Sequence, residues 1–272
     1  MTKASIIIGF YKRFDQLELI FEALKKQAET AFEVIIADDG SPQEVVDKIQ
    51  LYSKKSDLII KHIWHEDKGF RKTTVLNKAV LAAESPYLIF IDGDCIPDKY
   101  FIADHLKYKK THRMVNGRRV ELSEFLSQKV NVEFIKKGNL QPLKYVALWD
   151  SFFGKTRKAE VGFRVNSKSL NEKYGSFKKG ILGCNFSIHK ADVIELNGFD
   201  ERYEHPGVGE DTELEKRARH AGFEIFKPKL ALVQYHLWHK KQSRAFEKEN
   251  LVLLKETIDN KYIKTPYGIN SL

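Results

Sequence analysis

The sequence predicts an α/β protein with a mostly parallel, Rossmann-like central sheet flanked by helices. Short apolar runs that are typical of strands alternate with helical patterns over roughly the first 100 residues. Polar residues also cluster where three of these strands end, which is where ligands bind in such sheets. These clusters contain Tyr11 and Arg13, Asp38 and Asp39, and Asp92 and Asp94.

The first four strands are placed by their apolar runs, and the helices by apolar residues that recur every three or four positions. The predicted strands cover Ile6–Ile8, Val34–Ile36, Leu58–Ile63 and Tyr87–Ile91. We expect the second helix to begin with Ser41 as N-cap and Pro42 at its first position. The third helix is expected to start at a cap formed by Thr73 or Thr74.

The second half of the chain is less regular. The pattern predicts no particular element between residues 105 and 180. Beyond that point the pattern predicts a strand-like run at 181–188, a short helix at 190–196 and a helix that carries Leu214 and Ala218. A further strand at 230–235 and a helical tail after Lys240 complete the prediction.

Composition and charge limit the class of protein. A chain of 272 residues with 42% hydrophobic residues can bury a sizeable core. It contains no run of 18 apolar residues and no signal peptide pattern, and its two cysteines do not form a disulfide framework. We therefore expect a reduced, cytoplasmic protein. The formal charge of +9 favours anionic partners such as nucleotides, nucleic acid or an anionic membrane.

The fourth predicted strand ends in Asp92-Gly93-Asp94. In an extended chain, residues i and i+2 point to the same side, and a glycine between them lets the backbone approach a ligand. Two carboxylates at the end of a strand suit a divalent cation that also holds a phosphate. Because this motif is weakly specific by itself, an acidic turn that caps the next element is the alternative interpretation.

Several motifs occur together and in a fixed order. The N-terminal half contains Ile6-Ile-Ile-Gly-Phe-Tyr-Lys-Arg, Ile35-Ile-Ala-Asp-Asp-Gly-Ser and Phe90-Ile-Asp-Gly-Asp. The C-terminal half contains Gly183-Cys-Asn-Phe-Ser, Asn197-Gly-Phe-Asp-Glu and Gly209-Glu-Asp-Thr-Glu-Leu, followed by two histidines. Jointly these motifs resemble the family 2 inverting nucleotide-sugar glycosyltransferases with a galactosyltransferase-like C-terminal segment. Residues 105–180 are not covered by the resemblance.

The resemblance implies a GT-A fold with an acceptor-side C-terminal half. It divides the chain into a nucleotide-sugar-binding half (1–104), a variable acceptor- or membrane-facing region (105–180), a catalytic acceptor half (181–240) and a helical tail (241–272). It also implies metal-dependent transfer of Gal, GalNAc, Glc or GlcNAc, with inversion, from a UDP-sugar. The acceptor is expected to be a saccharide or a lipid-linked glycan in surface polysaccharide synthesis, and the oligomeric state is left open.

The expected donor site lies at the ends of the first strands. By resemblance, Asp39 reads the ring N–H of the uracil and Tyr11 stacks on the base, although both also suit a turn and a packed strand end. Arg71 is preferred to Lys68 for phosphate, because a guanidinium group offers a fork of donors; a solvated loop is the alternative. The full set is Gly9, Tyr11, Arg13, Asp39, Lys68, Arg71, Asp92, Gly93 and Asp94.

The expected metal ligands are Asp94, His236 and His239. The two histidines are three positions apart, so on one helical turn they share a face. Imidazole nitrogens with a carboxylate suit Mn²⁺, and Mg²⁺ is the alternative. The resemblance also implies a ligand pair with this spacing. Either histidine can be the principal ligand, and both can equally be ordinary surface or core residues.

Asp211 is the expected catalytic base. The attacking hydroxyl must lose its proton, and a carboxylate at a helix N-terminus stays ionised. Glu210 is expected to hydrogen-bond the acceptor. The alternative is that both acids only satisfy the start of the helix.

The sequence leaves two alternative functions, a nucleotidyltransferase and a non-catalytic anion-binding protein, and one further partner, a membrane surface. A sugar-nucleotide nucleotidyltransferase usually carries a glycine-rich basic loop after its first strand, where this chain has one glycine. A non-catalytic anion-binding protein is the second alternative, but no nucleic-acid motif is present and no such partner is expected. Trp149, Phe152 and Phe153 precede Lys155, Arg157 and Lys158, which suits peripheral contact with the anionic inner membrane face or, alternatively, core packing.

Overall fold

A computed structural model describes residues 2–207, 209–240 and 246–271. Its strands are β1 Ala4–Phe10, β2 Phe32–Asp38, β3 Ile60–Trp64, β4 Tyr87–Asp92, β5 Cys95–Pro97, β6 Arg113–Asn116, β7 Arg118–Glu121, β8 Asn185–His189, β9 Glu224–Phe226 and β10 Val233–His236. Its α-helices are α1 Phe14–Leu24, α2 Gln43–Lys55, α3 Lys72–Ala82, α4 Phe101–Tyr108, α5 Glu124–Lys129, α6 Val132–Lys136, α7 Leu143–Ser151, α8 Lys168–Lys173, α9 Lys190–Glu195, α10 Glu210–His220 and α11 Glu247–Asp259.

The central sheet has seven strands in the order β3-β2-β1-β4-β8-β6-β9. The first four strands in this order are parallel, and β8 runs antiparallel between β4 and β6. Helices cover both faces, so successive strand residues enter different cores. Ile6 and Ile8 pack in the core on the α1 side, and Ile7 packs in the core on the α3 side. The predicted α/β class is confirmed.

Two helix starts differ from the prediction. Helix α2 begins at Gln43, and the Ser41 hydroxyl accepts a hydrogen bond from the Lys12 N–H, 2.8 Å away, instead of capping the helix. Helix α3 begins at Lys72, one residue before the threonines proposed as caps. The N–H of Arg71 is satisfied by the Asp39 carboxylate at 3.0 Å. An acid from another strand end thus fixes this start, which local sequence cannot reveal.

A second sheet of three strands, β5-β10-β7, lies beyond the end of β4. Strand β10 pairs antiparallel with β5, and this register sets His236 opposite Cys95. The Leu237 N–H then donates to the Asp94 carbonyl oxygen at 3.0 Å. His236 is therefore the last residue of a strand. The expected helical turn through His236 and His239 is wrong.

The middle region contributes to both sheets, through β6 and β7. The predicted helical tail is present as α11, while Val208 and residues 241–245 of the predicted tail lie outside the described residues. Among the described residues, none of the helices has the length and apolar character needed to cross a bilayer.

Candidate active site

Three predicted metal ligands converge at the junction of the two sheets. Nε2 of His236 lies 3.2 Å from Oδ2 of Asp94, and Nε2 of His239 lies 3.3 Å from the same oxygen. Burial raises the pKa of Asp94, but hydrogen bonds from both histidines outweigh it and hold that pKa well below its ordinary value. Two imidazole nitrogens and an ionised carboxylate directed at one point fit a cation such as Mn²⁺.

A thiol lies behind this cluster. The Cys95 Sγ donates to Oδ1 of Asp94 at 3.3 Å and is fully buried. Burial raises the pKa of Cys95 well above its usual value, and the neighbouring Cys184 raises it further. Burial therefore favours the protonated thiol, which donates to the Asp94 carboxylate and helps to orient it.

Asp92 does not share a ligand direction with Asp94. Lys72 Nζ lies 3.0 Å from Oδ1 of Asp92 and 3.2 Å from Oε1 of Glu210. The expectation that Asp92 and Asp94 point to the same side is wrong, because it assumed an extended chain. Strand β4 ends at Asp92, and Gly93 and Asp94 form a turn. The Gly93 N–H still donates to the carbonyl oxygen of Gly9 at 2.8 Å, so the chain leaves the sheet only after this bond, at the turn that carries Asp94.

The predicted base lies at the start of α10. Oδ2 of Asp211 accepts a hydrogen bond from the Gly183 N–H at 2.7 Å. A Cβ at position 183 would lie 3.1 Å from that oxygen, so a larger residue would push the carboxylate away. Burial raises the pKa of Asp211 to about 6, with a further rise from the charge of Glu210, against lowering by Gly183 and Lys72. The group is therefore mostly ionised near neutral pH, with a raised affinity for a proton.

The carboxylate groups of Asp92, Glu210 and Asp211 line one small cavity of about 10 Å³. Gly9, Lys72 and Asp92 border it from the N-terminal half, and Gly183, Glu210 and Asp211 border it from the C-terminal half. Residues more than a hundred positions apart in the sequence thus meet at the carboxyl ends of the central strands, where such sheets bind ligands.

Three donor-site candidates surround the loop 65–71. Asp39 is 8% exposed, and its carboxylate lies 2.7 Å from Nε2 of His65 and accepts the Arg71 N–H. Burial raises the pKa of Asp39, and the hydrogen bond to His65 opposes that rise. Tyr11 is 44% exposed, and its hydroxyl donates to Asp67 at 2.8 Å. Its ring is therefore partly exposed at the surface, with Nζ of Lys12 4.1 Å from the ring centroid.

Two other donor-site candidates face solvent. Arg13 forms an exposed ion pair with Asp15, and Lys68 forms one with Glu66. Sequence reasoning missed Lys72, the central cation of the cavity, and His65. The available signal for Lys72 was its position directly after Arg71, as a third cation in the basic loop. The local sequence does not distinguish such a lysine from an ordinary solvent-exposed one.

Two family models match the chain. Residues 5–175 match the model of Glycosyl transferase family 2, and residues 163–241 match the N-terminal domain of galactosyltransferase. The two matches include residues 105–180, so the expectation that the resemblance leaves this region uncovered is wrong. The chain is 26% identical over 268 residues to an uncharacterized glycosyltransferase, YfnE, of Bacillus subtilis (strain 168), covering 90% of this chain and 67% of that protein. It is 24% identical over 226 residues to chondroitin synthase of Pasteurella multocida (strain Pm70), covering 77% of this chain but 22% of the synthase.

Solved structures show the same fold. S. aureus TarS 1–349, solved with UDP-GlcNAc, aligns with a TM-score of 0.61 at 16% identity, over 95% of this chain and 67% of that one. GalNAc-T7, solved with UDP, GalNAc and Mn²⁺, aligns with a TM-score of 0.67 at 13% identity, over 94% of this chain and 48% of that one.

The fold and the site define a glycosyltransferase of the GT-A class. The chain belongs to glycosyl transferase family 2. This membership sets aside both alternatives drawn from the sequence, the nucleotidyltransferase and the non-catalytic anion-binding protein.

Proposed function

We propose that the protein is a metal-dependent inverting hexosyltransferase. It transfers Gal, GalNAc, Glc or GlcNAc from a UDP-sugar to a saccharide or lipid-linked glycan acceptor in surface polysaccharide synthesis. The observation that carries the proposal is the convergence of His236 and His239 on Asp94, at 3.2 and 3.3 Å. The UDP-GlcNAc bound by TarS and the UDP and Mn²⁺ bound by GalNAc-T7 support the nature of the donor and the metal.

The donor binds along the strand ends of residues 1–104. Asp39 accepts the ring N–H of the base and Tyr11 stacks on it, while Arg71 contacts the diphosphate. Gly9 and Gly93 belong to the proposed donor set. A Cβ at Gly9 would lie 3.2 Å from Cε of Lys72, and a Cβ at Gly93 would lie 3.2 Å from the carbonyl oxygen of Gly9, so a side chain at either position would disturb this strand end. Arg13, Lys68 and Asp92 complete the proposed donor set.

Asp94, His236 and His239 hold Mn²⁺ or, alternatively, Mg²⁺. A divalent cation there would neutralise charge that develops on the departing diphosphate. The protein contributes the placement of these donors through the β5–β10 register. The hydrogen bond from Cys95 holds Asp94 in one orientation.

Asp211 removes the proton from the acceptor hydroxyl as that oxygen attacks the anomeric carbon from the face opposite the diphosphate. Glu210 accepts a hydrogen bond from the acceptor, and its ion pair with Lys72 fixes its orientation. The segment 181–240 therefore supplies the catalytic acceptor side, and the segment 105–180 supplies the variable acceptor- or membrane-facing side.

A donor screen tests the proposal. Release of UDP from UDP-Gal, UDP-GalNAc, UDP-Glc and UDP-GlcNAc is measured with Mn²⁺, with Mg²⁺ and with EDTA. We expect one or two donors to be turned over only with metal, and Asp94→Asn to lose both turnover and metal-dependent UDP binding. Equal UDP binding with and without metal in the wild type, or an unaffected Asp94→Asn variant, would contradict it.

We further propose peripheral contact with the anionic inner face of a membrane, in a cytoplasmic protein. Trp149, Phe152 and Phe153 are 67%, 76% and 66% exposed, so they do not pack in the core. Their rings contact each other at the end of α7, with centroids 6.0 and 6.2 Å from that of Trp149. Exposed aromatics followed by Lys155, Arg157 and Lys158 favour insertion at a lipid headgroup layer.

A further inference from the structure

Four cations lie near one another on the proposed acceptor side of the site: Arg118, Lys179, Lys227 and Lys229. The guanidinium of Arg118 donates to the carbonyl oxygen of Gly180 at 3.2 and 3.3 Å, directly beside Lys179. The backbone of Lys227 pairs with that of Ser176 in an antiparallel bridge, which brings the segment carrying Lys227 and Lys229 to the same place. Within the described ranges, none of the four forms an ion pair.

The charges in this cluster repel one another. Burial lowers the pKa of Lys227 to about 8, with further lowering by Arg118, Lys179 and Lys229 and only a small opposing effect from Glu160. Burial also lowers the pKa of Arg118, against weaker effects of Cys184 and Glu215. Cations that the fold holds close together, with only weak opposing charge, gain free energy when an anion binds among them.

The cluster is joined to the base by one short loop. At one end of the loop, the carbonyl oxygen of Gly180 accepts from Arg118. At the other end, the Gly183 N–H donates to Asp211 at 2.7 Å. Three residues of chain span at most about 11 Å. An oligosaccharide with a hydroxyl at Asp211 therefore reaches the cluster with a neighbouring sugar.

The cluster is not the donor phosphate site. Arg118 and Arg119 are neighbours in β7, so their side chains point to opposite faces. Arg119 donates to Cys184 at 3.3 Å, on the side of Asp94, whereas Arg118 points toward Gly180. Arg118 thus faces away from the proposed metal ligands.

The charge distribution of the whole chain agrees with this assignment. Residues 105–180 contain 18 Lys and Arg against six Asp and Glu, whereas the rest of the chain contains 28 against 31. The net positive charge is therefore confined to the proposed acceptor-facing region. A charge excess on one side of a cleft concentrates and orients an oppositely charged substrate.

We propose that Arg118, Lys179, Lys227 and Lys229 form a subsite for an anionic group, a carboxylate or a phosphate, on the sugar next to the one that receives the hexose. The inference rests on the proposed function, since it names the chemical class of the acceptor. It adds that the acceptor is a polyanionic glycan and that a neutral glycan is a poor substrate.

Binding to three probes tests the subsite by calorimetry on the full chain. The probes are a hexasaccharide of alternating glucuronate and N-acetylglucosamine, its neutral methyl ester, and a glycerol phosphate hexamer. We expect an anionic probe to bind about tenfold or more tightly than the ester at low salt, and the difference to shrink as NaCl rises. The tighter of the two anionic probes identifies carboxylate or phosphate. Equal affinity for the ester and both anions would overturn the proposal.

Variants that remove charge distinguish anion binding by these four cations from attraction by the overall positive charge of the protein. Lys227→Met with Lys229→Met is expected to remove most of the preference, whereas Lys227→Arg with Lys229→Arg, which keeps the charge, retains it. Lys54→Met with Lys55→Met removes two exposed charges from the far end of α2 and serves as the matched control. An equal loss of preference in the control pair, or none in the first pair, would refute the assignment.

The pH dependence gives an independent readout. Lys227 must be protonated to attract an anion, so affinity for the anionic probe falls as pH rises through about 8 in the wild type. The Met pair lacks this fall. Because these measurements need no turnover, they are separate from the proposed function: a chain that turns over no UDP-sugar contradicts that function, while a missing charge preference contradicts only the subsite.

Discussion

Lys72 and Glu210 lie 138 residues apart in the sequence and form an ion pair, with Nζ 3.2 Å from Oε1. The same ammonium lies 3.0 Å from Asp92. Burial lowers the pKa of Lys72, but the charges of Asp92 and Glu210 outweigh it and hold that pKa well above its ordinary value. The positive charge of Lys72 therefore pairs with an acid at the end of β4 and with an acid at the start of α10. This ion-pair network links the proposed donor and acceptor sides of the site.

Replacing this charge should change the pH profile of the enzyme. Lys72 lowers the pKa of Asp211, so Lys72→Met should raise that pKa and move the acidic limb of kcat upward by about one pH unit. Lys72→Arg should restore the limb. A Lys72→Met enzyme that is slower at every pH with an unmoved limb would show that the lysine only supports the structure.

Removing the base should affect the chemical step rather than binding. We expect Asp211→Asn to reduce kcat by about 10³-fold, because a positioned general base contributes about 10²–10⁴-fold. UDP and metal binding should remain. The wild type should lose activity as pH falls through about 6, where Asp211 takes up a proton. Turnover at the wild-type rate in Asp211→Asn would remove this assignment.

The histidines should determine metal affinity. His236→Ala and His239→Ala should each weaken Mn²⁺ binding, measured by electron paramagnetic resonance of free Mn²⁺, and the larger loss identifies the principal ligand. His220→Ala is the control, since its ring contacts the Tyr262 carbonyl oxygen instead. Equal Mn²⁺ affinity in all three variants would argue against the metal site.

The exposed aromatics should control membrane contact. Trp149→Ser with Phe152→Ser should reduce cosedimentation with vesicles of phosphatidylglycerol, because it removes apolar area that inserts among the headgroups. Leu51→Ser, at an exposed position on α2, is the control. Absence of binding by the wild type to both anionic and neutral vesicles would exclude the contact.

A buried ion pair should dominate the stability of α10. Arg217 and Glu213 are both almost fully buried, with Nε and Oε1 2.7 Å apart. Arg217→Met leaves Glu213 as an unpaired buried charge and should lower the free energy of unfolding by about 3–5 kcal/mol. Urea denaturation measures it. The exposed pair Glu44 and Lys48 has the same spacing, and Glu44→Gln should have no measurable effect. Equal effects would contradict the role of burial.

The local sequence is sufficient to place a strand where several consecutive apolar residues mark it. The apolar runs around Ile7 and Ile35 place their strands because each run is buried on both faces. The N-cap of α3 is Arg71, two residues before Thr73, and the N–H of Arg71 is satisfied by Asp39 from the end of a different strand. His236 was assigned to a helical turn because three-residue spacing alone does not distinguish a helix from a strand end.

The sequence by itself determined the fold class, the family and the types of group at the site, because these depend on periodicity and on motifs that are contiguous along the chain. Only the tertiary structure decided which groups meet. Asp94 faces the histidines and Asp92 faces Lys72, although one glycine separates the two acids. Partners of this kind come from strands and helices far away in the chain, and their distances depend on sheet register and helix packing, which no local pattern encodes.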